Sequence, residues 1–292
     1  MLRWGVIGVG RAGRARTAAL RADPRAEVVG GLGGAPASVE LPVFTEVEAL
    51  LEVVDAVAIC TPDEHHAGLV EDALAAGCHV LCEFPLAPDA LRARKLFRLA
   101  RDQQRVLHVE HIELLSPTAR YMRGHACVRQ VLGGSVRFRG PPRRGMTGIA
   151  HANVARLHRL VDVAGLPHKL VVEEREEDSL RGHFPWVGSQ QVDFDFALAP
   201  DLPRKTELTL SFSDGSMLIQ FGQTVLAGGA PVSLPKAEPG LFVQDQLACT
   251  ARILDGALPY VTDERVCEVL ALADRMMLVE STEERYRREA GG

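Results

Sequence analysis

The segment 4-WGVIGVGRAGRARTAAL-20 opens with an apolar run that reads as a buried strand and continues into a helix over residues 11–24 that ends ahead of Pro24. Between them lies Gly8-Val9-Gly10-Arg11-Ala12-Gly13. No other feature restricts the fold as tightly. At this spacing Gly8 turns the chain off the strand, Gly10 leaves the backbone open to a pyrophosphate, and Gly13 lets the helix approach the strand closely. The N–H groups around Arg11 and Ala12 then face the phosphates at the helix N-terminus. A bare Gly-x-Gly-x-x-Gly carries little weight; here the strand before it and the helix after it give it meaning.

The same alternation continues. Strands are expected at 26–32, 54–60, 78–83 and 105–111, and helices at 45–53, with Thr45 as N-cap, at 64–77, stopped by Gly77, and at 88–104. Alternating elements of this length imply parallel crossovers, so residues 1–115 are expected to form an α/β Rossmann domain with a doubly wound parallel sheet. Beyond residue 115 the period changes to two, at 135–140, 168–177, 190–198, 206–215 and 216–223, with Asp214-Gly215 as a hairpin turn. Residues 116–292 are therefore expected to form an α+β domain with an open, largely antiparallel sheet. It would carry a helix at 150–165, a surface loop at 228–240 and closing helices at 242–256 and 263–281.

Composition narrows the function. A net charge of -5 lacks the basic footprint of a nucleic-acid partner. No apolar run reaches the ~18 residues that span a bilayer, and the N-terminus lacks signal-peptide character, so a cytoplasmic protein with no membrane partner is expected. The six cysteines, Cys60, Cys78, Cys82, Cys127, Cys249 and Cys267, show no metal-ligand spacing and are expected as reduced core residues, with no metal site. Where dinucleotide folds read the adenosine ribose, the turn 30-GGLGGAPAS-38 has neither carboxylate nor arginine. Nothing there repels a 2′-phosphate and Arg11 or Arg14 can approach one, so NADPH is the expected cofactor, with NADH also usable.

The phrase 54-VDAVAICTPDEHHAGLVEDALAAGCHVLCEFPLA-87, with the N-terminal glycines, resembles the glucose-fructose oxidoreductase and inositol dehydrogenase (Gfo/Idh/MocA) family. The resemblance implies an NAD(P)-dependent oxidoreductase whose cofactor groove is lined by Thr61, Pro62, His66, Glu83 and Phe84. Sugar-oxidising members use a lysine in Glu-Lys-Pro and an Asp-x-x-x-His pair as their proton-handling set. Here those positions hold Phe84, Ala155 and Arg159. Removing hydride from a carbinol requires that the hydroxyl proton leave too, so this chain lacks the usual base. His151 and His158 are expected as helix-surface histidines rather than substitutes.

Within the family, 107-LHVEHIELL-115, 133-GGSVRFRGPP-142 and 171-VVEEREED-178 resemble the biliverdin reductase subfamily, in which Glu-Tyr-Pro stands where this chain has Glu83-Phe84-Pro85. That resemblance implies biliverdin as substrate, with hydride added to its C10 bridge. Phe84 would supply an apolar wall, and Arg156 and Arg159 would bind the propionates and assist proton delivery. Glu110 and Glu113 are the candidate site carboxylates. The plainer reading of the arginines is a surface pair bridging to Asp162. Two further functions remain open: a reductase of another conjugated, carbonyl or sugar substrate, and a non-catalytic nucleotide sensor.

Overall fold

The computed structural model describes residues 1–142, 148–186, 190–282 and 284. From the N-terminus the elements are β1 (Leu2–Val9), α1 (Arg11–Ala22), β2 (Ala26–Gly34), β3 (Val43–Phe44), α2 (Val47–Leu51), β4 (Ala56–Ile59), α3 (His66–Ala75), β5 (His79–Cys82), α4 (Ala90–Asp102), β6 (Leu107–Val109) and α5 (Ile112–Leu115). The six strands form one sheet in the order β3-β2-β1-β4-β5-β6, and every pairing is parallel. The order reverses between β1 and β4, so their carboxyl ends border the crevice where doubly wound folds bind ligands.

Then follow α6 (Pro117–Ala126), β7 (Val131–Gly140), α7 (Ile149–Ala152), α8 (Val154–Ala164), β8 (Val171–Arg175), β9 (Ser179–Pro185), β10 (Gln191–Leu198), β11 (Lys205–Phe212), β12 (Met217–Phe221), β13 (Thr224–Ala227) and β14 (Ala230–Pro231), with α9 (Leu241–Asp255) and α10 (Asp263–Leu278) last. The second sheet runs β14-β13-β12-β11-β7-β10-β9-β8. β7 and β10 pair in parallel and the other neighbours are antiparallel. Val192, Phe194 and Phe196 alternate to one face of β10 and are buried, as are Leu208, Leu210 and Phe212 of β11, which is the period-two pattern that the sequence carries.

By contact the chain divides into two compact units: Met1–Leu115 with Ala237–Cys267, and Ser116–Lys236 with Glu268–Gly292. Segment 237–267 therefore groups with the first unit rather than with residues 116–236, because α9 packs on α1 and contributes Cys249 to the core around Trp4, Leu20 and Leu81.

Local differences have local causes. The expected helix at 150–165 is broken into α7 and α8 at Asn153, whose side-chain amide donates to the Ile149 carbonyl oxygen at 2.9 Å, an alternative to the regular ladder. β9 was not expected. Its Gly182 interrupts the apolar alternation because a Cβ there would lie 2.5 Å from the Phe194 ring and 2.1 Å from the Val171 carbonyl oxygen. Within the expected loop at 228–240, Gly228 and Gly229, at φ 58° and 82°, turn the chain from β13 into the short β14. Five cysteines are buried as expected; Cys127 is exposed. Among the described residues no cluster suits a metal ion, and no helix is long and apolar enough to cross a membrane.

Candidate cofactor groove and active site

At the end of β1, Gly8 has φ +93°, and a Cβ on it would stand 2.7 Å from the backbone of Cys60 and Thr61. A Cβ on Gly13 would stand 2.3 Å from the Gly8 carbonyl oxygen. Both glycines are therefore fixed by packing within the protein. Gly10 differs: it is exposed, and nothing lies within 4 Å of where its Cβ would be. It is also the N-cap of α1, with no side-chain cap and no acid in the first turn, so the N–H groups of Arg11, Ala12 and Gly13 meet no competing carboxylate there. An open glycine at an uncapped helix N-terminus suits a pyrophosphate. Arg11 and Arg14 are both exposed beside it.

Thr61 and Pro62 follow β4, and Glu83 and Phe84 follow the adjacent β5. The Thr61 hydroxyl oxygen is buried and has no hydrogen-bond partner among the described residues, which fits a groove whose polar wall awaits a ligand. His66, at the start of α3, contacts the carbonyl oxygens of both Thr61 and Pro85. Phe84 is half-buried, its ring centroid 4.8 Å from that of His111.

Beneath these residues lies a charge network that the sequence did not reveal. The Arg16 guanidinium has no exposed surface; its Nη2 donates to Glu83 Oε1 at 3.0 Å and its Nη1 lies 2.7 Å from Asp245 Oδ2. Asp245 Oδ1 also accepts from the Tyr260 hydroxyl at 2.6 Å and lies 2.8 Å from His108 Nε2. The Tyr260 oxygen in turn accepts from the His111 N–H at 2.9 Å. Burial alone would raise the Asp245 carboxyl; attraction to Arg16 and then His108 overturns this and holds it well below the ordinary carboxylate range. Burial likewise opposes the charge of Arg16, and Asp245 and Glu83 restore it. Glu83 is thus held as the partner of a buried arginine, not as a free carboxylate. The one local hint was a charged residue on the apolar side of α1, and its partner sits on a helix distant in sequence.

Glu110 and Glu113 separate. Glu113 is exposed, while Glu110 is buried and its Oε1 accepts the Ile112 N–H at 2.6 Å. Burial, then repulsion from Glu83 and Asp245, pushes the Glu110 carboxyl well above its ordinary range.

In the second unit, the Arg156 guanidinium lies 4.2 Å from the Phe138 ring centroid, and Arg159 is half-buried one turn further along α8. Asp162 is ion-paired with Arg123 at 2.8 Å. His151 and His158 are not surface residues. Both are buried, and His151 Nε2 lies 2.8 Å from Asp274 Oδ1, because the apolar face of this region turns inward.

Residues 2–111 match the oxidoreductase family with an NAD-binding Rossmann fold (GFO_IDH_MocA). Mouse biliverdin reductase A is 30% identical over 226 residues, covering 73% of this chain and 76% of that protein. UDP-N-acetylglucosamine 3-dehydrogenase of Acidithiobacillus ferrooxidans is 35% identical over 130 residues, 42% of this chain and 41% of that one. The crystal structure of biliverdin reductase from Synechocystis sp. PCC 6803, in complex with biliverdin and NADP+, superposes with a TM-score of 0.80 at 25% identity, covering 94% of this chain and 98% of that one. With the glycine turn, the parallel sheet and the antiparallel second sheet already in place, these likenesses identify the chain as a member of the Gfo/Idh/MocA family of NAD(P)-dependent oxidoreductases.

Proposed function

We propose that this oxidoreductase works as a biliverdin reductase, adding hydride to the C10 methine bridge and giving bilirubin. The observation that carries the reading is Phe84, an aromatic ring where sugar-oxidising relatives keep a lysine ammonium. An ammonium facing a large apolar ligand loses its hydration, whereas a phenyl ring packs against a conjugated one. Bound NAD(P)H supplies the hydride. As the C10 bridge gains it, the electron pair of the C10 double bond moves to a pyrrole nitrogen, which must take a proton.

Glu110 suits that requirement, since burial raises its carboxyl well above the ordinary range and it stands beside Phe84 and His111 in sequence and sheet order. Arg16 fixes Glu83 at the neighbouring strand end, so that the backbone of Phe84 is held while the ring meets ligand. Arg156 and Arg159 are the cations assigned to the propionates, because a planar guanidinium can bind a carboxylate through two hydrogen bonds and stack on a conjugated ring. Glu113, exposed on α5, is left with the lesser role of a polar contact.

The test is direct. Purified protein is mixed with biliverdin and NADPH, and the biliverdin absorption band is followed as the bilirubin band rises. Turnover supports the reading. Binding of NADPH with no loss of biliverdin, and turnover of a sugar nucleotide or another carbonyl instead, would replace it with the broader family activity.

A further inference from the structure

β7, β11 and β12 lie side by side in the second sheet, and their register sets two rows of side chains across one face. In the first row Arg139 stands opposite Lys205; in the second, Arg137, Glu207 and Phe221 follow one another. Arg137 and Arg139 alternate with Phe138, whose ring carries Arg156 of α8, so they point away from that helix. Beside these rows is a cleft of about 630 Å³, lined in part by Arg137, Arg139, Arg204, Lys205, Glu207 and Phe221. Its size is that of a small-molecule site.

Two features set it apart from a solvated sheet face. Like charges directly opposite each other on neighbouring strands are destabilising, yet Arg139 and Lys205 stand so in a chain of net charge -5. Carboxylates relieve only half of the lining charge. Arg137 Nη1 donates to Glu207 Oε1 at 3.2 Å, and Arg139 Nη2 donates to Asp195 Oδ2 of β10 at 2.5 Å. Arg204 and Lys205 form no ion pair among the described residues. The second feature is Phe221, a large aromatic residue left 44% exposed at the end of β12.

We propose that this cleft binds a nucleoside 5′-phosphate, at a site that shares no residue with the cofactor groove. Alternate residues on one face of a strand are about 7 Å apart and neighbouring strands about 5 Å apart. The cations of the first row, the Glu207 carboxylate and the Phe221 ring therefore succeed one another over the length of a single nucleotide. Arg139, Arg204 and Lys205 take the phosphate, whose charge cancels the repulsion across their row. Glu207 accepts from the ribose hydroxyls, and the base stacks on Phe221. A bare anion would leave the ring in water, and an uncharged aromatic ligand would leave Arg204 and Lys205 unmatched.

The proposal depends on neither biliverdin nor hydride transfer, so failure of the biliverdin assay leaves it standing. Its test loads the full chain with one equivalent of NADPH, well above the Kd, and titrates it with AMP by calorimetry. Nicotinamide fluorescence reports whether NADPH stays bound. One AMP per chain is expected, with a Kd below about 1 mM and no loss of NADPH. Lys205→Glu and Phe221→Ala should each raise that Kd at least about tenfold. Both residues are exposed, and Lys205→Glu turns a repulsive row into an attractive one, so its melting temperature should not fall. Absence of binding, displacement of NADPH by AMP, or an unchanged Kd in either folded variant would overturn the proposal. So would inorganic phosphate binding as tightly as AMP, since that is an anion site with no place for a base.

Discussion

Arg16 and Asp245, one on the first helix and one on α9, form an ion pair at 2.7 Å in which neither side chain has any exposed surface. A buried pair of this kind adds little net stability while intact, but breaking it leaves a charge stranded in the core. Asp245→Asn should therefore destabilise the protein by roughly 3–5 kcal/mol, measured by urea unfolding. Arg16→Met, which removes the cation but strands Asp245 and frees Glu83, should cost a comparable amount and also weaken NADPH binding. Wild-type midpoints in both variants would show that the pair is solvated in solution.

The three glycines should separate into two classes. Gly8→Ala places a side chain against backbone at φ +93° and should lower the melting temperature sharply. Gly10→Val enters open space and should fold with an unchanged melting temperature while losing NADPH binding. Calorimetric melts paired with fluorescence titrations check both. A Gly10→Val protein that binds NADPH normally would place the pyrophosphate elsewhere.

Cofactor preference follows from the same region. No acid stands in the turn 30–38, and Arg11 and Arg14 are exposed near the open Gly10. NADPH should therefore have a kcat/KM at least equal to that of NADH, and Arg11→Ala should lower the NADPH value more than the NADH value. A clear NADH preference in the wild type rejects this assignment.

Glu110 carries a pH signature. Its folded carboxyl releases its proton well above the ordinary range, so the native state binds that proton more tightly than the unfolded chain does. The associated stability is complete below the unfolded carboxyl pKa, about 4.3, and is lost as pH rises through the folded value. Glu110→Gln should flatten this part of the stability profile. It should also lower kcat for biliverdin by about 100-fold or more, since an amide donates no proton in the chemical step. If kcat and its pH profile match the wild type, Glu110 is not the proton source.

Arg156 and Arg159 should divide by kinetic parameter. Arg159, at the position of the family's histidine, should affect chiefly kcat when changed to alanine; Arg156→Ala should chiefly raise KM for biliverdin. NADPH affinity should be unchanged in both. Loss of Arg156 should also cost about 0.5–1 kcal/mol of stability through its contact with Phe138. Wild-type kinetics in both variants would remove α8 from substrate binding.

The sequence by itself determined what depends on neighbouring residues. Alternating strand and helix periods, with Gly8, Gly10 and Gly13 at the first crossover, were enough for the parallel sheet and the glycine turn after its first strand, and period-two runs were enough for the second sheet. These signals are local because backbone hydrogen bonding and the burial of one face repeat every few residues. Tertiary structure decided the rest. Only packing brings Asp245 and Tyr260 to Arg16, turns Glu83 into a tethered carboxylate, buries Glu110 while leaving Glu113 in solvent, and turns His151 and His158 inward. A desolvated charge or ring is stabilised by partners from remote elements, and no period along the chain records which remote residue will supply them.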